Sequence, residues 1–169
     1  LRNGSQLGAK LTDNKDYTPD LTAAPRERFV VERPDGFRFM VNVTLPPGYT
    51  SGRLPAMFWF YPREYESQDK YDETARTYNK NAFPNFGTRS MQYMARLGYA
   101  VVEPDAPIVG KAGQMNNNYE HDLRNNLAAV IDELDRREII DRQRLGIGGH
   151  SYGAFSTANA MAHTPFFKA

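Results

Sequence analysis

The chain has no cysteine. That removes disulfide frameworks and thiolate metal sites, and it suits a periplasmic or secreted protein as well as a cytoplasmic one, so the compartment stays open. It also lacks a charge of one sign. Lys and Arg number 21 against 20 Asp and Glu, and a net charge of +1 supplies no field for gripping a phosphate backbone, which argues against nucleic acid as a partner. Long apolar runs are missing too: none approaches the roughly 18 residues of a membrane span. Leu1 to Lys10 lacks the basic region and apolar stretch of a leader, so a leader either never existed or lies outside these residues. There is no internal repeat, no low-complexity tract, and no pair of His, Asp or Glu with convincing metal-ligand spacing. Neither metal nor cofactor is expected.

What is present is 169 residues with 40% hydrophobic content, the size of one ordinary domain with material for a core. Leu1 to Pro25 is polar and aperiodic and reads as a linker or arm, leaving residues 26–169 as the folded part. Arg28 to Glu32 and Phe37 to Leu45, on either side of Pro34-Asp35-Gly36, read as an antiparallel hairpin. Leu54 to Tyr61 is a near-continuous apolar run, as in a strand buried on both faces. The polar, aromatic stretch from Arg63 to Phe86 reads as a loop folded over a site.

Thr88 to Leu97 carries helical spacing in Met91, Met94 and Leu97, with Gly98 where a C-cap glycine belongs, before a strand from Tyr99 to Glu103. From Tyr119 to Ile139, Leu123, Leu127, Val130, Ile131 and Leu134 share one face of a long helix. A short strand from Arg144 to Gly148 and a helix from Tyr152 to His163 complete the pattern. Alternation of strand and helix after a hairpin predicts an α/β fold, with a mostly parallel sheet and helices on both faces.

The chemistry concentrates in Gly149-His150-Ser151-Tyr152-Gly153, between the last strand and the last helix. A chain that reverses so sharply tolerates almost no Cβ two residues either side of the serine, hence Gly149 and Gly153. Such a bend exposes the Ser151 hydroxyl, and the helix start offers the Tyr152 amide to a carbonyl oxygen becoming negative. The bare pattern would arise by chance in roughly one chain in twenty of this length. The strand before it and the helix after it make it the nucleophile elbow of an α/β hydrolase. A dinucleotide loop built from Gly146, Gly148 and Gly149 fails on spacing, since the third glycine position is Ser151.

A nucleophilic serine needs a base and an acid, which in this fold follow it as Asp or Glu and then His. After Ser151 come eighteen residues with no Asp or Glu. His163 is about three helical turns on, roughly 18 Å along the axis, beyond hydrogen-bond reach; His121 and His150 read as structural. The elbow strand also has a bare outer edge. The expectation is an incomplete hydrolase fold, with its C-terminal strands and its catalytic Asp and His beyond Ala169.

The chain resembles the prolyl oligopeptidase family of serine peptidases, and within it the glutamyl-endopeptidase-like branch. The likeness lies in Gly148-Gly149-His150-Ser151-Tyr152-Gly153-Ala154-Phe155 followed by Thr157-Ala158-Asn159, in Phe58-Trp59-Phe60-Tyr61-Pro62-Arg63-Glu64-Tyr65, and in Gly98-Tyr99-Ala100-Val101-Val102 leading to Pro107-Ile108-Val109-Gly110. It covers most of the chain from about Ala24. The resemblance implies a peptidase domain preceded by a β-propeller, which makes Leu1 to Pro25 the exit linker of that propeller. It implies peptide or small-protein substrates, an acyl-enzyme on Ser151, and Tyr61 as the side-chain donor completing the oxyanion hole opposite the Tyr152 amide. The remainder of the catalytic domain would be an obligatory partner, and these residues alone are expected to be inactive. An esterase or lipase on the same scaffold would use the same residues. A non-catalytic fragment or pseudo-enzyme would explain the missing acid and base.

Overall fold

The computed structural model describes residues 15–74, 86–87 and 90–169. A short helix α1 (Pro19–Thr22) precedes the hairpin β1 (Arg26–Glu32) and β2 (Arg38–Thr44), followed by β3 (Leu54–Trp59), β4 (Glu64–Tyr65) and α2 (Gln68–Thr74). A 3₁₀ helix at Met91–Leu97 leads to β5 (Ala100–Pro104) and β6 (Ile108–Val109). A second 3₁₀ turn at Met115–Asn118 opens directly into α3 (Tyr119–Arg136), and β7 (Ile140–Gly148) and α4 (Tyr152–His163) end the chain.

The main sheet has the order β1-β2-β5-β3-β7. β1 pairs antiparallel with β2 and β2 with β5, while β3 pairs parallel with both β5 and β7. The sheet is therefore mixed, which corrects the expectation of a mostly parallel one. The predicted hairpin accounts for the difference. Its two strands make up one side of the sheet, and β2 carries the antiparallel direction onto β5, confining parallel pairing to the three strands joined by helical crossovers. β4 and β6 form a separate two-residue parallel pair, Glu64 opposite Ile108 and Tyr65 opposite Val109.

The apolar face of α3 packs on the sheet through Leu123, Leu127, Val130, Ile131 and Leu134, all buried, and α4 joins the same cluster through Ala160. On the opposite face Val101 meets Leu21 of α1 and Ala95 of the 3₁₀ helix, each with at most 1% exposure. Helices thus flank the sheet, as expected. The predicted α-helix from Thr88 to Leu97 is instead 3₁₀ over Met91–Leu97, Thr88 lying outside the described residues. Apolar residues at 91, 94 and 97 are three apart, which fits 3.0 residues per turn at least as well as 3.6. Gly98 caps this helix with φ +87°, a left-handed conformation that favours glycine.

The interval read as a loop from Arg63 to Phe86 holds β4 and α2, and its residues 75–85 lie outside the described residues. β7 starts earlier than its predicted Arg144. It pairs at Leu54 with Ile140, bulges away, and rejoins β3 at Ala56 opposite Leu145. Its outer edge, expected to be bare, is instead partly covered by the last two residues: Lys168 N donates to Leu145 O at 2.9 Å and Ile147 N to Ala169 O at 2.8 Å. No described helix is long and apolar enough to cross a membrane.

Candidate active site at the β7 to α4 turn

β7 ends at Gly148 and α4 begins at Tyr152, so the chain reverses within three residues. Ser151 takes φ +55° and ψ −117° at the N-cap of α4, a backbone conformation that costs an L-residue on the order of 1–3 kcal/mol. Its side chain is exposed and makes no capping bond to the helix. Two close approaches enforce the bend. A Cβ on Gly149 would lie 2.3 Å from the carbonyl carbon of Gly153, and a Cβ on Gly153 would lie 2.3 Å from the carbonyl oxygen of Phe60, at the end of β3. Behind the serine, Gly153 N donates to His150 O, and Ala154 and Phe155 N donate to Ser151 O, at 2.9, 2.9 and 3.1 Å. The Tyr152 amide, first in the helix, has no carbonyl one turn back to receive it.

Tyr61 sits two residues past β3, 53% exposed, its ring edge-on to that of Tyr152 with centroids 6.0 Å apart. The fold thus brings together the five residues that the sequence singled out. The Tyr152 side chain turns away from the serine: its hydroxyl donates to Asn116 Oδ1 at 2.7 Å and approaches Glu64 Oε1 at 3.3 Å, while Asn116 Nδ2 donates to Glu64 Oε1 at 2.6 Å. Burial, with the neighbouring Tyr119 and Glu64, pushes the Tyr152 phenol above its ordinary range, so it stays a neutral donor. From below, Ser156 Oγ donates to Tyr152 O at 2.7 Å and receives the buried Tyr119 hydroxyl at 2.6 Å.

Glu64 and Asn116 were not singled out in the sequence. They stand 52 residues apart, Glu64 in β4 and Asn116 in the second 3₁₀ turn, and no local pattern links them. A second unforeseen group lies deeper. Arg33, 3% exposed, pairs with Asp122 at 3.2 Å and with Asp35, and donates to Asn126 Oδ1 and Pro107 O, each at 3.2 Å. Asp122 in turn accepts from Val109 N at 2.7 Å, and Asn126 donates to Pro107 O at 2.8 Å. This network ties the hairpin turn to α3 and to β6, the strand that holds β4. A signal for it did exist, since Asp122 and Asn126 interrupt the apolar face of α3 beside Leu123 and Leu127.

Two cavities flank the elbow. One, of about 610 Å³, is lined by His150, Tyr61, Arg63, Trp59 and residues of β2 and β5; the other, of about 740 Å³, by Tyr152, Phe155, Asn159 and the segment from Asn116 to His121. Ser151 lines neither, while its two chain neighbours line one each, His150 the first and Tyr152 the second. Of the other histidines, His121 contacts Asn118 and Asn125, and His163, at the end of α4, faces Glu120 at 3.6 Å.

The family model of the prolyl oligopeptidase family matches residues 84–169, just over half of the chain and inclusive of the elbow. The chain belongs to the prolyl oligopeptidase family. A probable chloroplastic glutamyl endopeptidase of Arabidopsis thaliana is 36% identical over 152 residues, covering 87% of this chain and 16% of that protein. Its counterpart in Oryza sativa subsp. japonica is 34% identical over 161 residues, covering 92% and 17%. The chain thus spans about one sixth of the length of these prolyl oligopeptidase relatives. Among solved structures, the AtxE2 isopeptidase in its apo form aligns with a TM-score of 0.63 at 24% identity, over 86% of this chain and 22% of that one, a likeness of fold.

Proposed function

We propose that this chain is the nucleophile-bearing, N-terminal part of the α/β-hydrolase catalytic domain of a serine peptidase, in the glutamyl-endopeptidase-like branch of its family. Ser151 attacks the peptide carbonyl and forms the acyl-enzyme. The Tyr152 amide and the Tyr61 hydroxyl receive the oxyanion, and an Asp–His pair from the remainder of the catalytic domain moves the proton. Gly149 and Gly153 keep the bend closed. A β-propeller joined through residues 1–25 restricts access to peptides and small proteins.

The observation that carries this reading is the left-handed backbone of Ser151, held at a strand-to-helix turn by two glycines that have no room for a Cβ. A strained exposed serine beside a helix N-terminus suits attack followed by charge stabilisation. Family membership and identities of 36% and 34% to two probable glutamyl endopeptidases support the choice of reaction and branch.

The test is a fluorophosphonate probe on the full-length protein, with peptide mapping of the adduct and parallel assays on quenched peptides and short acyl esters. The expected result is one adduct, on Ser151, that abolishes peptide cleavage. An intact fold with no adduct at Ser151 refutes the nucleophile, and turnover of esters without cleavage of any peptide refutes the peptidase.

A further inference from the structure

The two donors assigned to the oxyanion sit on different elements, and neither element alone sets the span between them. The Tyr152 amide opens α4, where the N-cap Ser151 makes no side-chain capping bond and holds a strained backbone. Tyr61 lies on the peptide that leaves β3. A tie between the two runs through Glu64, three residues beyond Tyr61. Glu64 Oε1 accepts from Asn116 Nδ2 at 2.6 Å, and Asn116 Oδ1 accepts from the Tyr152 hydroxyl at 2.7 Å, while that hydroxyl lies 3.3 Å from Glu64 itself. A carboxylate only accepts, so Glu64 makes Asn116 turn its NH₂ group toward it and its carbonyl toward Tyr152. Both ends of the relay are anchored at the backbone. Arg63 O accepts from Ile108 N at 2.9 Å and Tyr65 O from Gly110 N at 3.1 Å, which fixes Glu64 between them. A Cβ on Gly110 would lie 2.8 Å from Met115 Cα, so the turn that carries Asn116 packs onto the end of the same β6.

Because Glu64 and Tyr61 share one short peptide, a tether from Glu64 to Tyr152 closes a ring of contacts that contains both donors. The edge-on packing of the Tyr61 ring against the Tyr152 ring closes the same ring from the other side. We propose that Glu64 is a positioning residue of the oxyanion hole: through Asn116 it holds the Tyr152 hydroxyl and so fixes the distance between the Tyr152 amide and the Tyr61 hydroxyl. The assignment rests on Ser151 being the nucleophile and on those two groups receiving the oxyanion. Glu64 and Asn116 are both exposed, and exposed polar contacts add little to global stability. Loss of the tether is therefore felt in the rate and not in the folding.

The test is steady-state cleavage of an uncharged quenched peptide by the full-length enzyme, beside its melting temperature. Glu64→Ala is expected to lower kcat by about 10-fold with KM near the wild-type value, a part of the 10²–10³ lost when a donor is removed outright. Asn116→Ala gives the same loss, and Glu64→Gln restores most of the rate, since its amide oxygen still accepts from Asn116. Melting shifts by less than about 2 °C in all three. The decisive readout is a double-mutant cycle: in Tyr61→Phe, removal of Glu64 has almost no further effect, because the donor whose distance it fixes is gone. Wild-type kcat in Glu64→Ala overturns the proposal, as do losses that multiply in the double variant, a loss confined to KM, or one matched by a large fall in melting temperature. If any of these occurs while Tyr61→Phe is slow and the fluorophosphonate still labels Ser151, the proposed function stands without the tether. Absence of the Ser151 adduct in wild-type enzyme removes both.

Discussion

Replacing Gly153 with alanine tests the elbow at its tightest point. The new Cβ would fall 2.3 Å from Phe60 O, whereas carbon and oxygen in ordinary close contact stay about 3.3 Å apart. Relief therefore demands a separation of about 1 Å between the start of α4 and the end of β3. Both are backbone, and β3 is hydrogen-bonded on each side, to β5 and β7, so neither can swing aside as a side chain would. Forced overpacking of this kind costs about 3 kcal/mol, or roughly 6 °C or more in the melting transition of a domain this size. The shift also widens the gap between Tyr61, next to Phe60, and Tyr152, next to Gly153. A displacement of that order at a reacting centre costs about 100-fold in rate. The assay is the second-order rate of Ser151 phosphonylation in the full-length protein, beside the melting temperature. Gly146→Ala is the control, because its Cβ would meet nothing nearer than 3.4 Å. Wild-type labelling and melting in Gly153→Ala would show that the bend is looser than described and would refute the reasoning.

Ser151→Gly abolishes labelling yet stabilises the domain by about 1 kcal/mol relative to Ser151→Ala in chemical denaturation, because only glycine takes the positive φ without strain. Tyr61→Phe lowers kcat by about 10²–10³ with a smaller change in KM, as expected for a donor used mainly by the oxyanion; steady-state kinetics on an uncharged peptide decide it. Arg33→Met leaves Asp122, 2% exposed, as a buried charge without its guanidinium. It costs about 3–5 kcal/mol in denaturant titrations at neutral pH.

Features set by neighbours along the chain were legible in the sequence. Pro34-Asp35-Gly36 announces the hairpin because turn chemistry is local, and Gly36 does take φ +84°. The apolar face of α3 follows from its own periodicity. The elbow is readable because both of its close contacts, at Gly149 and Gly153, recur at fixed offsets from the serine. Strand direction is not written in a strand's own residues, and the antiparallel junction of β2 with β5 depends on which strands become neighbours in the folded sheet. Nor could the sequence show that Asn116 and Glu64 would meet the Tyr152 hydroxyl, since β4, the second 3₁₀ turn and α4 must all be placed before those atoms approach.

The peptide leaving β3 carries unusual responsibility for so short a stretch. Tyr61, Arg63 and Glu64 follow one another within four residues around Pro62: the first packs edge-on against the Tyr152 ring, the second lines the cavity beside His150, and the third accepts from Asn116. Lengthening or shortening this peptide by a single residue would throw all three contacts out of register together, so a single insertion here reaches both walls of the elbow at once.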